Sequence, residues 1–154
     1  MCKTCGCDID PEKIYNNYLE EIERFLGKDS ETSNIELDSV GRKLFGKKYV
    51  GTFSSDKIPK LKKGQMCISN LDDSTQPGSH WVSLYCNDKG RCYFYDSFGR
   101  KVKSFKNLQK RNRQLIEAKD YDAEQTFEES NCGQRCLSIL CCFVTMPPEY
   151  VLQI

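Results

Sequence analysis

From Cys132 the chain runs Cys-Gly-Gln-Arg-Cys-Leu-Ser-Ile-Leu-Cys-Cys-Phe-Val, and Pro147-Pro148 follow almost at once. A run this apolar is too long for an ordinary strand, so it reads as a buried helix. Ser130 or Asn131 is the cap and Cys132 falls in the first turn. A thiol in that position feels the positive end of the helix dipole and the unpaired first-turn N–H groups, and both favour thiolate. The plainer account is a small apolar residue entering a core helix, and for a cysteine seen alone it is the stronger one. Cys132 becomes a reactive nucleophile only if the rest of the chain supplies a base.

With 154 residues the chain can build a core without staples. We expect a Cys-containing tail over residues 1–12 and a single domain over 13–154. A net charge of +1 gives no global attraction to nucleic acid or membrane, so electrostatic partners must be sought in local clusters. No apolar stretch approaches the length of a membrane span. Met1-Cys2-Lys3-Thr4-Cys5 contains no hydrophobic signal region, which argues against secretion. Of ten cysteines, four (Cys132, Cys136, Cys141 and Cys142) share the predicted helix. That usage fits reduced thiols in an intracellular compartment better than a disulfide scaffold.

Cys2, Cys5 and Cys7 resemble part of a zinc site, but no nearby His or fourth Cys completes the set, and a loose tail is the plainer account. Asp10-Pro11 starts an amphipathic helix whose apolar positions Ile14, Tyr15, Tyr18, Leu19, Ile22, Phe25 and Leu26 recur at helical spacing until Gly27. A second helix spans Ile35 to Phe45, and Tyr49–Phe53 is extended. Ser54 to Lys63 is a loop, Gln65–Ser69 a strand, and Asn70 to Ser79 a loop that delivers the chain to His80.

His80 to Cys86 and Cys92 to Asp96 both alternate, with Asn87 to Arg91 between them, which predicts a hairpin. If Cys86 lies opposite Cys92, then Val82 lies opposite Asp96 and His80 is the diagonal neighbour of Asp96 on the same face. Diagonal pairs sit roughly 7–8 Å apart, within reach of long side chains. A slip of one residue would put the two on opposite faces. After Asp96-Ser97-Phe98-Gly99 the chain turns, and a basic helix is predicted near Phe105 to Ala118, with Phe105, Leu108, Leu115 and Ile116 as its inner side. Arg100, Lys101, Lys103, Lys106, Lys110, Arg111, Arg113 and Lys119 make this region positive; a solvated face explains them, and DNA contact, through Lys101, Lys103, Lys106, Lys110, Arg111 and Arg113, is the alternative. Tyr121 to Glu128 is predicted to return as a strand bearing Gln125.

A thiol protease needs a thiolate, an imidazole to share its proton, a group holding that imidazole, and donors for the oxyanion. Cys132, His80, Asp96 and Gln125 are the candidates, and His80 is the sole histidine. Gly78-Ser79-His80-Trp81, Tyr93 to Gly99, Gln125 and Ser130-Asn131-Cys132-Gly133 together resemble the adenovirus-type (adenain-like) maturation cysteine proteases. The clan of that family also contains the SUMO-specific proteases. The order His, acid, Gln, Cys is shared, as are the Trp after the His, the Phe-Gly after the acid and the Gln seven residues before the Cys.

The resemblance implies an α+β, papain-like fold with a mixed central sheet packed on helices and the nucleophile at a helix N-terminus. It implies Cys132 as nucleophile, His80 as general base and acid, Asp96 as the group orienting His80, and Gln125 as oxyanion donor. Trp81 would shield the catalytic pair, though core packing accounts for it equally well. The implied function is a viral endopeptidase that processes capsid or core precursors during virion maturation, through an acyl-enzyme. It would act as a monomer, with no membrane partner, in the virion and the cytoplasm or nucleus of the host cell. No cofactor is required; DNA or a peptide would be the activator. Asp96 matches the SUMO-protease branch, where adenovirus enzymes commonly have Glu. Only 22 residues follow Cys132, fewer than adenovirus enzymes carry there, which leaves docking of an activating peptide open. The alternatives are an isopeptidase acting on SUMO or ubiquitin-like modifiers, and a non-catalytic thiol-rich protein that binds DNA or metal.

Overall fold

The computed structural model describes residues 9–28, 30–71, 80–104, 107, 112, 114–118, 123 and 130–154. It is an α+β fold built on a five-stranded mixed sheet. Helix α1 (Pro11–Leu26) begins where expected: Asp10 caps it by accepting from the Lys13 N–H, Pro11 opens the first turn, and Gly27 ends it at φ 90°. Its inner face buries Tyr15, Leu19 and Ile22. Helix α2 (Asn34–Phe45) starts on a capping box in which Ser33 and Glu36 exchange bonds of 3.1 Å. Gly41 in α2 lies against the ring of Tyr49, where an added Cβ would come within 2.6 Å.

The sheet runs in chain order: β1 (Tyr49–Phe53), β2 (Met66–Asn70), β3 (Trp81–Cys86), β4 (Cys92–Tyr95) and β5 (Leu115–Ile116). The outer pairings, β1 with β2 and β4 with β5, are parallel, and the inner two are antiparallel. One face packs on α1 and on α3 (Cys132–Thr145), and the main core cluster joins Tyr15, Leu37, Ile68, Tyr93 and Leu140. The other face, with Val82, Leu84 and Phe94, is closed by Ile58, Leu61 and Val102. Strand β2 is therefore buried throughout, the pattern of a strand covered on both faces. Helix α3 stops at Thr145, and Pro148 opens the short α4 (Pro148–Val151). Among the described residues no helix is long and apolar enough to cross a membrane.

Two expectations need correction. The predicted helix does not extend to Ala118, because Leu115 and Ile116 pair with Cys92 and Tyr93 as strand β5. Leu115 suits a helical period counted from Leu108, but two adjacent apolar residues also fit the open edge of β4, and that pairing satisfies backbone groups no local period reveals. Phe105, Lys106, Leu108, Lys110, Arg111 and Arg113 lie outside the described residues, as does nearly all of the predicted strand from Tyr121 to Glu128. The second correction concerns the cysteines. Cys86 and Cys92, directly opposed at the end of the hairpin, form a disulfide. Cys67, Cys132, Cys136, Cys141 and Cys142 are free thiols.

Candidate active site

Every residue of α3 from Gly133 to Phe143 is buried, and Cys132 at its start is only half-buried. The helix thus presents one thiol to the outside and hides the rest. Three contacts fix that start. Gly133 lies so close to the loop before α2 that an added Cβ would meet the Thr32 hydroxyl and a methyl of Leu37. Gln134, fully buried, donates to the carbonyls of Gly27 and Ser30 at 2.9 Å each. Asn131 does not cap with its side chain; its Oδ1 accepts instead from Arg135 Nε at 3.1 Å.

Arg135 in turn donates to the Tyr15 hydroxyl, which bonds the Tyr95 hydroxyl at 2.9 Å. One buried chain of polar contacts therefore links the residue before Cys132 to the residue before Asp96. The sequence reading missed this network, because an arginine inside an apolar helix reveals its partners only when α1 is packed beside it.

The hairpin has the register that alternation predicts: Cys86 opposes Cys92 and Ser83 opposes Tyr95, which carries Val82 on to Asp96. His80 Nε2 lies 2.5 Å from Asp96 Oδ1. The histidine is 4% exposed and the carboxylate side chain is wholly buried. Asp96 accepts three further bonds, from the Phe98 N–H at 3.1 Å, the Arg100 N–H at 3.2 Å and Arg100 Nε at 2.9 Å. The Asp-Ser-Phe-Gly turn makes this possible, since Asp96 caps its own turn and Gly99, at φ 72°, returns the chain toward it. The imidazole stacks on Phe98, with ring centres 4.4 Å apart and planes 19° from parallel. Cys132, at the start of α3, also acts on this ring, as a hydrogen-bond partner and as a charge that both raise its pKa.

Burial alone would depress the imidazole pKa, but the hydrogen bonds and charges of Asp96 and Cys132 outweigh it and hold His80 above its ordinary 6.5. Burial pushes Asp96 up, and His80, the Phe98 N–H and Arg100 more than reverse it, so the carboxyl stays below its ordinary 3.8. The signs define a window. Asp96 stabilises the fold above about pH 4, and that contribution is lost as pH falls through its lowered folded value. His80 contributes fully below about pH 6.5 and is lost as pH rises through its raised folded value. Urea unfolding should therefore show stability falling on both sides of this window, and His80→Gln should flatten the upper side. An upper limb identical in His80→Gln would show that the histidine carries no such linkage.

Trp81 donates its indole N–H to the Thr32 carbonyl at 3.1 Å and packs against the main core, so a structural task is assured for it. Lys101 and Lys103 are exposed on either side of buried Val102. Gln125 and the cysteines at 2, 5 and 7 lie outside the described residues. Among the described residues no group of three or more His, Cys, Asp or Glu could hold a metal ion. Arg100, placed by sequence among the basic residues, belongs to the site. Its position four residues after Asp96, across a glycine turn, was the available signal.

No family model matches the chain, and no curated protein matches it.

Proposed function

We propose that the chain is a cysteine endopeptidase of the adenain-like, papain-fold type that processes capsid or core precursor polypeptides during virion maturation. The observation that carries this reading is the alignment of Cys132, His80 and Asp96. The only imidazole in the chain is bonded through Nε2 to a buried carboxylate, and it faces a free thiol at the open end of a buried helix. With Nε2 engaged by Asp96, Nδ1 is left to take the Cys132 proton. The thiolate then attacks the scissile carbonyl and forms an acyl-enzyme. Imidazolium returns the proton to the leaving amine, and water, activated by the same ring, releases the acid. The oxyanion falls to the first-turn N–H groups of α3, joined by Gln125. Trp81, next to His80 in the chain, would keep water from the pair. Lys101 and Lys103 would hold the enzyme on packaged DNA, with DNA or a peptide as activator, at the site of virus assembly.

Alkylation tests the core of this reading without knowledge of the substrate. At pH 6 an ordinary thiol, with pKa near 8.5, is less than about 1% ionised. Iodoacetamide at that pH should label Cys132 well ahead of every other cysteine, and His80→Ala should remove the preference. Slow labelling of Cys132 that ignores His80 would sink the protease assignment. Rapid capture of Cys132 by a SUMO or ubiquitin C-terminal thiol trap would instead make the enzyme an isopeptidase.

A further inference from the structure

We infer that Arg100 is a positioning residue of the catalytic group, fixing the Asp96 carboxylate and the ring of Phe98 so that both hold the imidazole of His80 in place. The inference rests on the protease reading for its catalytic meaning but not for its measurement. The four donors to Asp96 divide evenly. Oδ1 takes His80 and the Phe98 N–H, whereas the two donors to Oδ2 both come from Arg100. A carboxylate held at both oxygens is hindered from rotating about its own axis, so Oδ1 stays on His80 Nε2. The same guanidinium has its Cζ 5.0 Å from the centre of the Phe98 ring, and Phe98 stacks on His80. One side chain thus acts on both groups that confine the base.

The plainer account is an ion pair near the surface, since the Arg100 side chain is 42% exposed. The two accounts predict opposite signs at His80. The charges that act on His80 are those of Asp96, from the end of β4, and Cys132, from the start of α3; those on Asp96 are His80 and Arg100. If Arg100 matters only as a nearby cation, removing it relieves repulsion and the imidazole titrates higher. If it positions Asp96, removing the side chain leaves Oδ2 only the backbone N–H of residue 100 at 3.2 Å, the carboxylate is held less firmly, the bond that lifts the imidazole weakens, and His80 titrates lower.

His80 is the only histidine in the chain, so its ring proton and carbon resonances can be followed by NMR without assignment. Arg100→Met keeps the aliphatic stem over Phe98 and the backbone N–H but removes the side-chain donor; Arg100→Lys keeps charge but not the fixed Nε geometry. We expect the His80 titration midpoint in the full chain to move down toward 6.5 in Arg100→Met, and less far in Arg100→Lys. On a cleaved peptide, kcat should fall by about 10–100-fold with little change in KM. If Arg100→Met does not fold, the smaller downward shift in Arg100→Lys decides. A midpoint that stays put or rises overturns the inference, and does so whether or not the wild-type chain cleaves anything. A downward shift in a chain with no reactive Cys132 would leave the positioning role standing and remove the protease reading instead.

Discussion

Cys132→Ala and His80→Ala should each abolish cleavage of a precursor polypeptide, and Asp96→Asn should lower kcat by roughly 10²–10⁴-fold. The first two remove a bond-forming atom and the only available proton acceptor, since no second histidine exists to stand in. Asp96→Asn differs because the shape survives. An amide can turn its NH2 toward His80 Nε2, which forces the proton onto Nδ1 and leaves nothing to accept from the thiol. It also removes the negative charge that faces both His80 and Arg100 inside a buried site, so a loss of stability should accompany the loss of rate. Residues that act as a unit do not add: His80→Ala combined with Asp96→Asn should be no slower than His80→Ala alone. Initial rates measured beside urea midpoints separate chemistry from folding. Unchanged processing by Cys132→Ala would end the assignment, and additive losses in the double variant would separate Asp96 from His80.

What could be read in advance follows from how far each signal extends along the chain. The start of α1 lies in Asp10-Pro11 and its end in Gly27, all local chemistry. The His80–Asp96 pairing looks long-range but is not, because one hairpin with a period of two sets which face each residue takes. Arg100 was hidden by a turn: as one cation in a basic stretch it resembled its neighbours, and only the return of the chain at Gly99 separates it from Lys101 and Lys103. The edge strand at Leu115–Ile116 depends on a partner far away in sequence, so helical spacing misplaced it. The disulfide was missed for another reason. Alternation sets Cys86 opposite Cys92, yet four of the ten cysteines share one helix, and that usage points to reduced thiols throughout. The Arg135–Tyr15–Tyr95 chain joins three elements, and no pattern within any one of them announces it.

The glycine after the nucleophile is itself a constraint of packing, and Gly133→Ala should be costly although alanine is the better helix former by about 1 kcal/mol. An ideal Cβ at Gly133 would sit 2.0 Å from the Thr32 hydroxyl and 2.9 Å from a Leu37 methyl. Leu37 is fully buried and Thr32 nearly so. Thr32 cannot simply withdraw, because its carbonyl accepts the Trp81 indole N–H and Gln134 ties α3 to the same loop at Gly27 and Ser30. Overpacking of this kind costs about 1–3 kcal/mol, enough to exceed the gain in helix propensity. The strain falls on the residue next to Cys132, and a displacement of about 1 Å between thiol and imidazole can cost on the order of 10² in rate. Thr32→Ala removes the closer obstacle and leaves only the flexible end of Leu37. The double variant should therefore be more stable and faster than Gly133→Ala alone, a favourable coupling that a double-mutant cycle on urea midpoints and on kcat measures directly. If Gly133→Ala matches the parent in both, or Thr32→Ala adds a second independent loss, then Thr32 does not set the position of the nucleophile helix.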